Sequence, residues 1–308
     1  MTPIAHLLSG YLAGEWVGRG LEGRRWRSVV GAGVLGGIAP DFDVALGLVG
    51  GWFGAGFHRT ATHSLPGALV MGALAAAAAR GERRRVFLAC AAGVLTHISW
   101  DALNFFGVEP LWPWRRYLSW NIVHERDLTV TLIVALAAAL VFRGRRRAAL
   151  AALAVLLVGY LGVQLWWQKR GQELARVELA GRRVGVYPAN RPGCGWIAVS
   201  AGAEDLQIHC VPRPWAGRLE PERTAPLLQN DFTRASQRSP SVRDFLAHSP
   251  FPFAVVEPEP GGGAVVIWRD LREAHQEKPA QRPYGIYVWV DGAGSIVKER
   301  HRWWLSLW

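Results

Sequence analysis

The chain has 308 residues and a net charge of +11; half of it is hydrophobic and 19% is charged. That length allows two ordinary domains. Much of the positive charge sits in tight clusters between apolar runs, at Arg19 to Arg27, Arg80 to Arg85 and Arg143 to Arg147. This argues against a nucleic-acid partner, whose groove gathers basic residues and stacking aromatics on one surface.

Up to Trp167 the chain is rich in Ala, Leu, Val and Gly; from Lys169 onward Pro, Gly and charges are spread evenly. The expected fold class is an α-helical membrane domain of about six spans, residues 1–168, followed by a soluble β-rich (α+β) domain, residues 169–308. The predicted spans are Pro3–Val17, Ser28–Gly50, Ser64–Ala79, Val86–Phe106, Leu128–Phe142 and Ala148–Trp167. A crossing helix needs about 20 mostly apolar residues. The first, third and fifth are short by that measure, which leaves a soluble helical bundle as the alternative. His6 and Glu15 interrupt the first apolar stretch and no basic segment precedes it, so it is not read as a signal peptide. The positive-inside rule puts the arginine clusters in the cytoplasm of a bacterial inner membrane. The N-terminus, residues 51–63, residues 107–127 and the C-terminal half then face the periplasm.

The apolar half also carries histidines and aspartates, which are costly inside a membrane and so point to function. His6 comes first. Pro40-Asp41-Phe42-Asp43 follows, where the proline should break the helix and let both carboxylates face one site. His58-Arg59 and Thr62-His63-Ser64 come next. Ser64 is a cap for the following helix, and Arg59 is a fixed cation suited to a phosphate or carboxylate. His97-Ile-Ser-Trp-Asp101 places an imidazole and a carboxylate one turn apart on one helix face. His124 and Asp127 close the series, Asp127 also reading as a helix N-cap. Imidazole mixed with carboxylate suits zinc, manganese or iron. One or two divalent ions are expected, zinc first. His6, Asp41, Asp43, His58, His63, His97 and Asp101 are the metal ligands, with His124 or Asp127 as general acid/base and Arg59 as phosphate holder. Gly31-Ala-Gly33-Val-Leu-Gly36 matches a dinucleotide fingerprint but lies in a helical run, where small residues let helices pack closely.

These motifs, from Ala5-His6 with Gly10 through His97 with Asp101, resemble the YdjM-like membrane-bound metal-dependent hydrolases. They cover most of residues 1–130 in the expected order. The His-x-x-x-Asp element is also similar to that of zinc-dependent phospholipase C, which implies hydrolysis of a phosphoester or lipid-like substrate. A metal-stabilised membrane scaffold or metal-handling protein is the non-enzymatic alternative.

The second half reads as strands at Arg183–Tyr187, Trp196–Ser200, Leu206–Val211, Phe253–Val256, Ala264–Trp268, Gly285–Val290 and Ile296–Arg300. Gly261–Gly263 and Asp291–Gly294 are the expected hairpin turns, and Ser241–Ala247 a short helix. Cys194 and Cys210 are read either as a disulfide or as two buried thiols. His209, His248, His275 and His301 lack ligand spacing. Trp303, Trp304 and Trp308 suit either a bilayer interface or a β core.

Overall fold

The computed structural model describes residues 2–43, 58–114, 116–191, 194–211, 217–226, 229–274 and 285–302. It divides into two compact units, which adjoin along the chain at Trp166 and Trp167.

The first unit is helical: α1 (Pro3–Val17), α2 (Gly23–Ile38), α3 (Leu65–Ala78), α4 (Arg83–Leu103) and α5 (Leu128–Phe142). The first part of α6 (Arg146–Glu178) belongs to it and the last part to the second unit. Three helices start by one device. The side chains of Thr2, Ser64 and Asp127 accept the backbone N–H three residues on, from Ala5, Gly67 and Val130. Pro3 and Pro66, in the first turns of α1 and α3, occupy positions whose N–H has no helical partner anyway.

Glycines bring α1, α2 and α4 into backbone contact. A Cβ on Gly33 would lie 2.5 Å from the Gly10 carbonyl and 2.7 Å from Gly14 Cα, and one on Gly93 would lie 2.3 Å from the Gly33 carbonyl. The Gly31–Gly36 pattern is thus helix interior, and Gly33 and Gly36 serve close packing.

The expectation of about six spans is corrected. Among the described residues, only α4, with 21 residues, and α6, with 33, are long and apolar enough to cross a membrane. The apolar helices α3 and α5 have 14 and 15 residues. That is roughly 21–23 Å of helix against a hydrocarbon core of about 30 Å. Helix α1 has 15 residues and buries His6, Ser9 and Glu15. Helix α2 opens on arginines and stops at Ile38, giving way to a 3-10 turn at Ala39–Asp41 that contains Pro40. The expected span Ser28–Gly50 ran across that stop, and its residues 44–50 lie outside the described ones. Counting apolar residues registers neither a proline stop nor a helix whose small residues are used on neighbouring helices.

The two long helices differ in surroundings. The apolar stretch of α4 is 67% buried within the protein, that of α6 only 6%. Val155 and Val158 of α6 are each 71% exposed. A continuous apolar surface of this kind needs a non-aqueous neighbour.

The second unit is β-rich, with two four-stranded antiparallel sheets. The first runs β1 (Arg183–Arg191), β2 (Cys194–Ala201), β3 (Asp205–Val211) and β4 (Glu220–Pro226); the second runs β5 (Pro252–Pro258), β6 (Ala264–Asp270), β7 (Gly285–Val290) and β8 (Ile296–Arg302). The expected turns join β5 to β6 and β7 to β8. Strand β4 escapes a sequence reading because Pro221 and Pro226 disfavour strands, yet it is an edge, where proline is tolerated. Cys194 and Cys210 form a disulfide with a Cα separation of 5.7 Å. Short helices α7 (Asp231–Ser236) and α8 (Pro240–His248) put Ala235 and Val242 into the core of the second sheet with Val266, Trp268 and Val288. A last helical turn, α9, covers Leu271–Ala274. His275, Trp303, Trp304 and Trp308 lie outside the described residues.

Glu299 ties α8 to β8 by accepting from the Ser239 hydroxyl at 2.5 Å. Burial pushes its carboxyl up, but the hydroxyls of Ser239 and Ser241 and the charge of His301 outweigh this, so the group lies below its ordinary value of 4.5. A lowered carboxyl stabilises the fold above the unfolded value and loses that contribution as pH falls through the folded one. The melting temperature of this unit should therefore drop as pH falls below 4.5. A melting series against pH should show a shallower drop in Glu299→Gln.

Candidate metal centre

Four segments converge at one end of the helical unit. Helix α1 brings His6, the end of α2 and its 3-10 turn bring Asp41 and Asp43, the turn before α3 brings His58 and His63, and α4 brings His97 and Asp101. His6, His63, His97 and Asp101 are each 1% exposed or less.

At the centre lie two imidazoles and two carboxylates. The Nε2 atoms of His63 and His97 are 3.2 Å apart. Asp41 Oδ1 is 3.4 Å from His97 Nε2 and 3.5 Å from His63 Nε2. Asp101 Oδ2 is 3.5 Å and 3.7 Å from the same two nitrogens. These four residues form a group of donors that could hold one metal ion. Ligands about 2.0–2.1 Å from a tetrahedral metal stand roughly 3.3–3.4 Å from one another, close to the separations seen.

The tautomers follow from the neighbours. His97 Nδ1 is 2.8 Å from the Gly37 carbonyl, which can only accept, so Nδ1 carries the hydrogen. Thr62 gives its hydroxyl hydrogen to Asp43 Oδ2 at 2.6 Å. At 2.9 Å from Thr62 Oγ1, His63 Nδ1 must then be the donor. Each neutral ring therefore turns an Nε2 lone pair toward the other and toward two carboxylate oxygens. Four acceptors at this spacing require a cation among them, either a proton on one ring or a metal ion. Orienting an imidazole by a hydrogen bond from its second nitrogen is a common support of metal sites.

Asp43 and His58 flank this quartet. Asp43 Oδ1 is 2.8 Å from His58 Nδ1, and its Oδ2 lies 3.5 Å from His63 Nδ1. Asp41 and Asp43 thus stand on the two nitrogens of one ring, which is how the proline turn lets carboxylates two residues apart serve one site. Asp43, His58 and His63 form a second group of donors, already knitted by hydrogen bonds. His6 stacks on His97 with centroids 3.7 Å apart, and its Nε2 is 3.6 Å from Asp101 Oδ1. The buried Nδ1 of His6 has no hydrogen-bond partner among the described residues.

Arg59 sits beside the quartet in a left-handed conformation, φ 69°. Its Nη1 donates to Asn104 Oδ1 at 2.9 Å, and its Nη2 is 3.9 Å from Asp101 Oδ2. Neither His124 nor Asp127 belongs to either donor group. His124 Nδ1 accepts from the Arg126 backbone, while Asp127 caps α5 and accepts from the Tyr160 hydroxyl at 2.5 Å.

Three contributors carry no ligand signature in the sequence: Thr62, Asn104 and the Gly37 carbonyl. Asn104 follows Asp101 by three residues and places its Nδ2 3.3 Å from Asp101 Oδ1. The spacing of Thr62, beside one histidine and four residues after another, was the available hint. Thr62→Val keeps the shape and removes the hydroxyl. It should lower metal affinity about 10- to 100-fold, the usual effect of losing such a support, in a competition titration against a chromophoric chelator.

A helical unit with a largely exposed apolar helix and ionisable groups gathered at one end is the architecture of a membrane protein with a buried polar site. A family model described as YdjM inner membrane protein matches residues 1–171. That is more than half of the chain, which belongs to this family. The matched description names a membrane protein and no reaction. No curated protein and no solved structure matches the chain.

Proposed function

We propose that the chain is a metal-dependent hydrolase of the inner membrane that acts on a phosphoester or lipid-like substrate. The observation that carries this reading is the pair of Nε2 lone pairs 3.2 Å apart, faced by two carboxylate oxygens. Asp41, His63, His97 and Asp101 would hold one divalent ion, zinc, manganese or iron. Such an ion supplies a water of near-neutral pKa and polarises a phosphoryl oxygen. Asp43, His58 and Thr62 keep the His63 ring in its tautomer; Gly37 does so for His97. Asp41, whose side chain is 40% exposed, is the donor on the open side, where a substrate would enter. Arg59, next to Asp101, supplies a cation for a phosphate oxygen.

On this reading the β-rich unit lies in the periplasm. Helix α6 starts at the arginine cluster 143–147, which the positive-inside rule keeps in the cytoplasm, and leads into that unit. The Cys194–Cys210 disulfide suits an oxidising compartment.

One observation favours the non-enzymatic reading. Four protein donors complete a tetrahedral shell, as in structural zinc sites, whereas catalytic sites keep a position open. Assays of the metal-loaded protein on bis(p-nitrophenyl) phosphate and on phospholipid vesicles separate the two. Metal-dependent turnover lost in Asp41→Asn supports the hydrolase. A stoichiometric metal with no turnover on any phosphoester, and a melting temperature that collapses on chelation, supports the scaffold.

A further inference from the structure

A second feature lies at the arginine-bearing end of the helical unit. Helices α1, α5 and α6 line a small cleft that is half open to the surroundings. Leu12, Val141, Leu150 and Leu153 line it, and its polar lining comes from Glu15, Arg19 and Arg146.

The polar groups are arranged with a surplus of positive charge. Glu15, whose side chain is only 7% exposed, pairs with Arg146 Nη2 at 2.9 Å. Tyr11 donates to its other oxygen at 3.2 Å. That pair neutralises one arginine and fastens α1 to α6. Arg146 remains 43% exposed, with guanidinium N–H groups beyond the one spent on Glu15. Arg19 lies over the Trp16 ring, 3.4 Å from its centroid, and both line the cavity. Arg143, Arg145 and Arg147 are exposed beside Arg146.

We infer that this cavity binds an anionic membrane phospholipid. One acyl chain lies along the open, leucine-lined wall, and the headgroup phosphate is held by Arg19 and the remaining donors of Arg146. Charge complementarity selects the occupant: an apolar cavity rimmed by arginines fits an amphiphile with a negative head, and basic pockets between membrane helices bind such headgroups. The site uses no residue of the metal centre.

The test is native mass spectrometry of the full-length protein in detergent, with phosphatidylglycerol, phosphatidylcholine or glycerol 1-phosphate added and metal content measured on the same samples. Phosphatidylglycerol should bind at one per chain, and the other two should bind far more weakly. Arg19→Gln should weaken phosphatidylglycerol about ten-fold, the usual cost of one charge-assisted hydrogen bond. Leu150→Trp, at a residue 46% exposed in the cavity wall, should block the chain without disturbing the core. Metal content should stay unchanged throughout. Equal binding of phosphatidylcholine overturns the charge selection. Equal binding of glycerol 1-phosphate overturns the acyl subsite. Wild-type affinity in both variants overturns the site altogether. Metal loss in the wild type would count against the hydrolase reading and leave this one standing.

Discussion

Purified wild-type protein should carry about one equivalent of a divalent ion, and His97→Ala/Asp101→Ala should carry none. The double substitution removes two of four donors and leaves only His63 and Asp41. Structural metal sites bind with apparent energies on the order of 10–16 kcal/mol. Losing two ligands takes affinity below what survives purification. His97→Gln/Asp101→Asn keeps the volumes while removing the imidazole and the charge, so a folded, metal-free protein there separates ligand loss from misfolding. Elemental analysis reads both. Full metal content in both double variants would move the site away from this quartet, with the Asp43, His58 and His63 group the next to be tested. A metal-free wild type, purified with metal supplied, would mean that a proton bridges the two rings.

The second large effect concerns a residue without a side chain. Gly33→Ala should cost about 3 kcal/mol or more, at the upper end of overpacking effects. The added methyl would meet backbone atoms of Gly10 and Gly14 at 2.5–2.7 Å, and backbone cannot turn aside as a side chain can. Gly31→Ala is the internal control, since none of the described residues lies within 4 Å of its added carbon. There the change should be neutral or stabilising by up to about 1 kcal/mol, the helix advantage of alanine over glycine. Thermal unfolding in detergent measures both. Equal melting temperatures for the two variants would show that α1 and α2 separate at little cost.

Much of the site was legible in the sequence because it depends on residue type and short spacing. His97 and Asp101 share a helix face by arithmetic, and Pro40 announces the turn that presents Asp41 and Asp43. The roles of the gathered residues were less legible. Thr62, the partner of His63, is joined to Asp43, and His97 to Gly37, by hydrogen bonds across 19 and 60 residues, and no local pattern encodes such pairs. The span count failed for a related reason. Alanine and glycine score as apolar whether they face lipid or another helix, and the short helices here spend them on each other. In the β-rich unit, strand-forming runs revealed seven of the eight strands. They missed β4 because an edge strand need not alternate or avoid proline.

Gly37 joins the packing to the chemistry. A Cβ there would lie 2.5 Å from the His6 carbonyl, and its own carbonyl holds His97 Nδ1. The position that lets α1 lie against α2 is therefore also the one that sets the orientation of a ligand ring. Metal occupancy and helix docking then form one thermodynamic cycle. Whatever free energy a bound ion gained from a ring already in place would return as resistance to separating α1 from α2. A chelator that stripped such an ion would act on the helical fold as well as on the site.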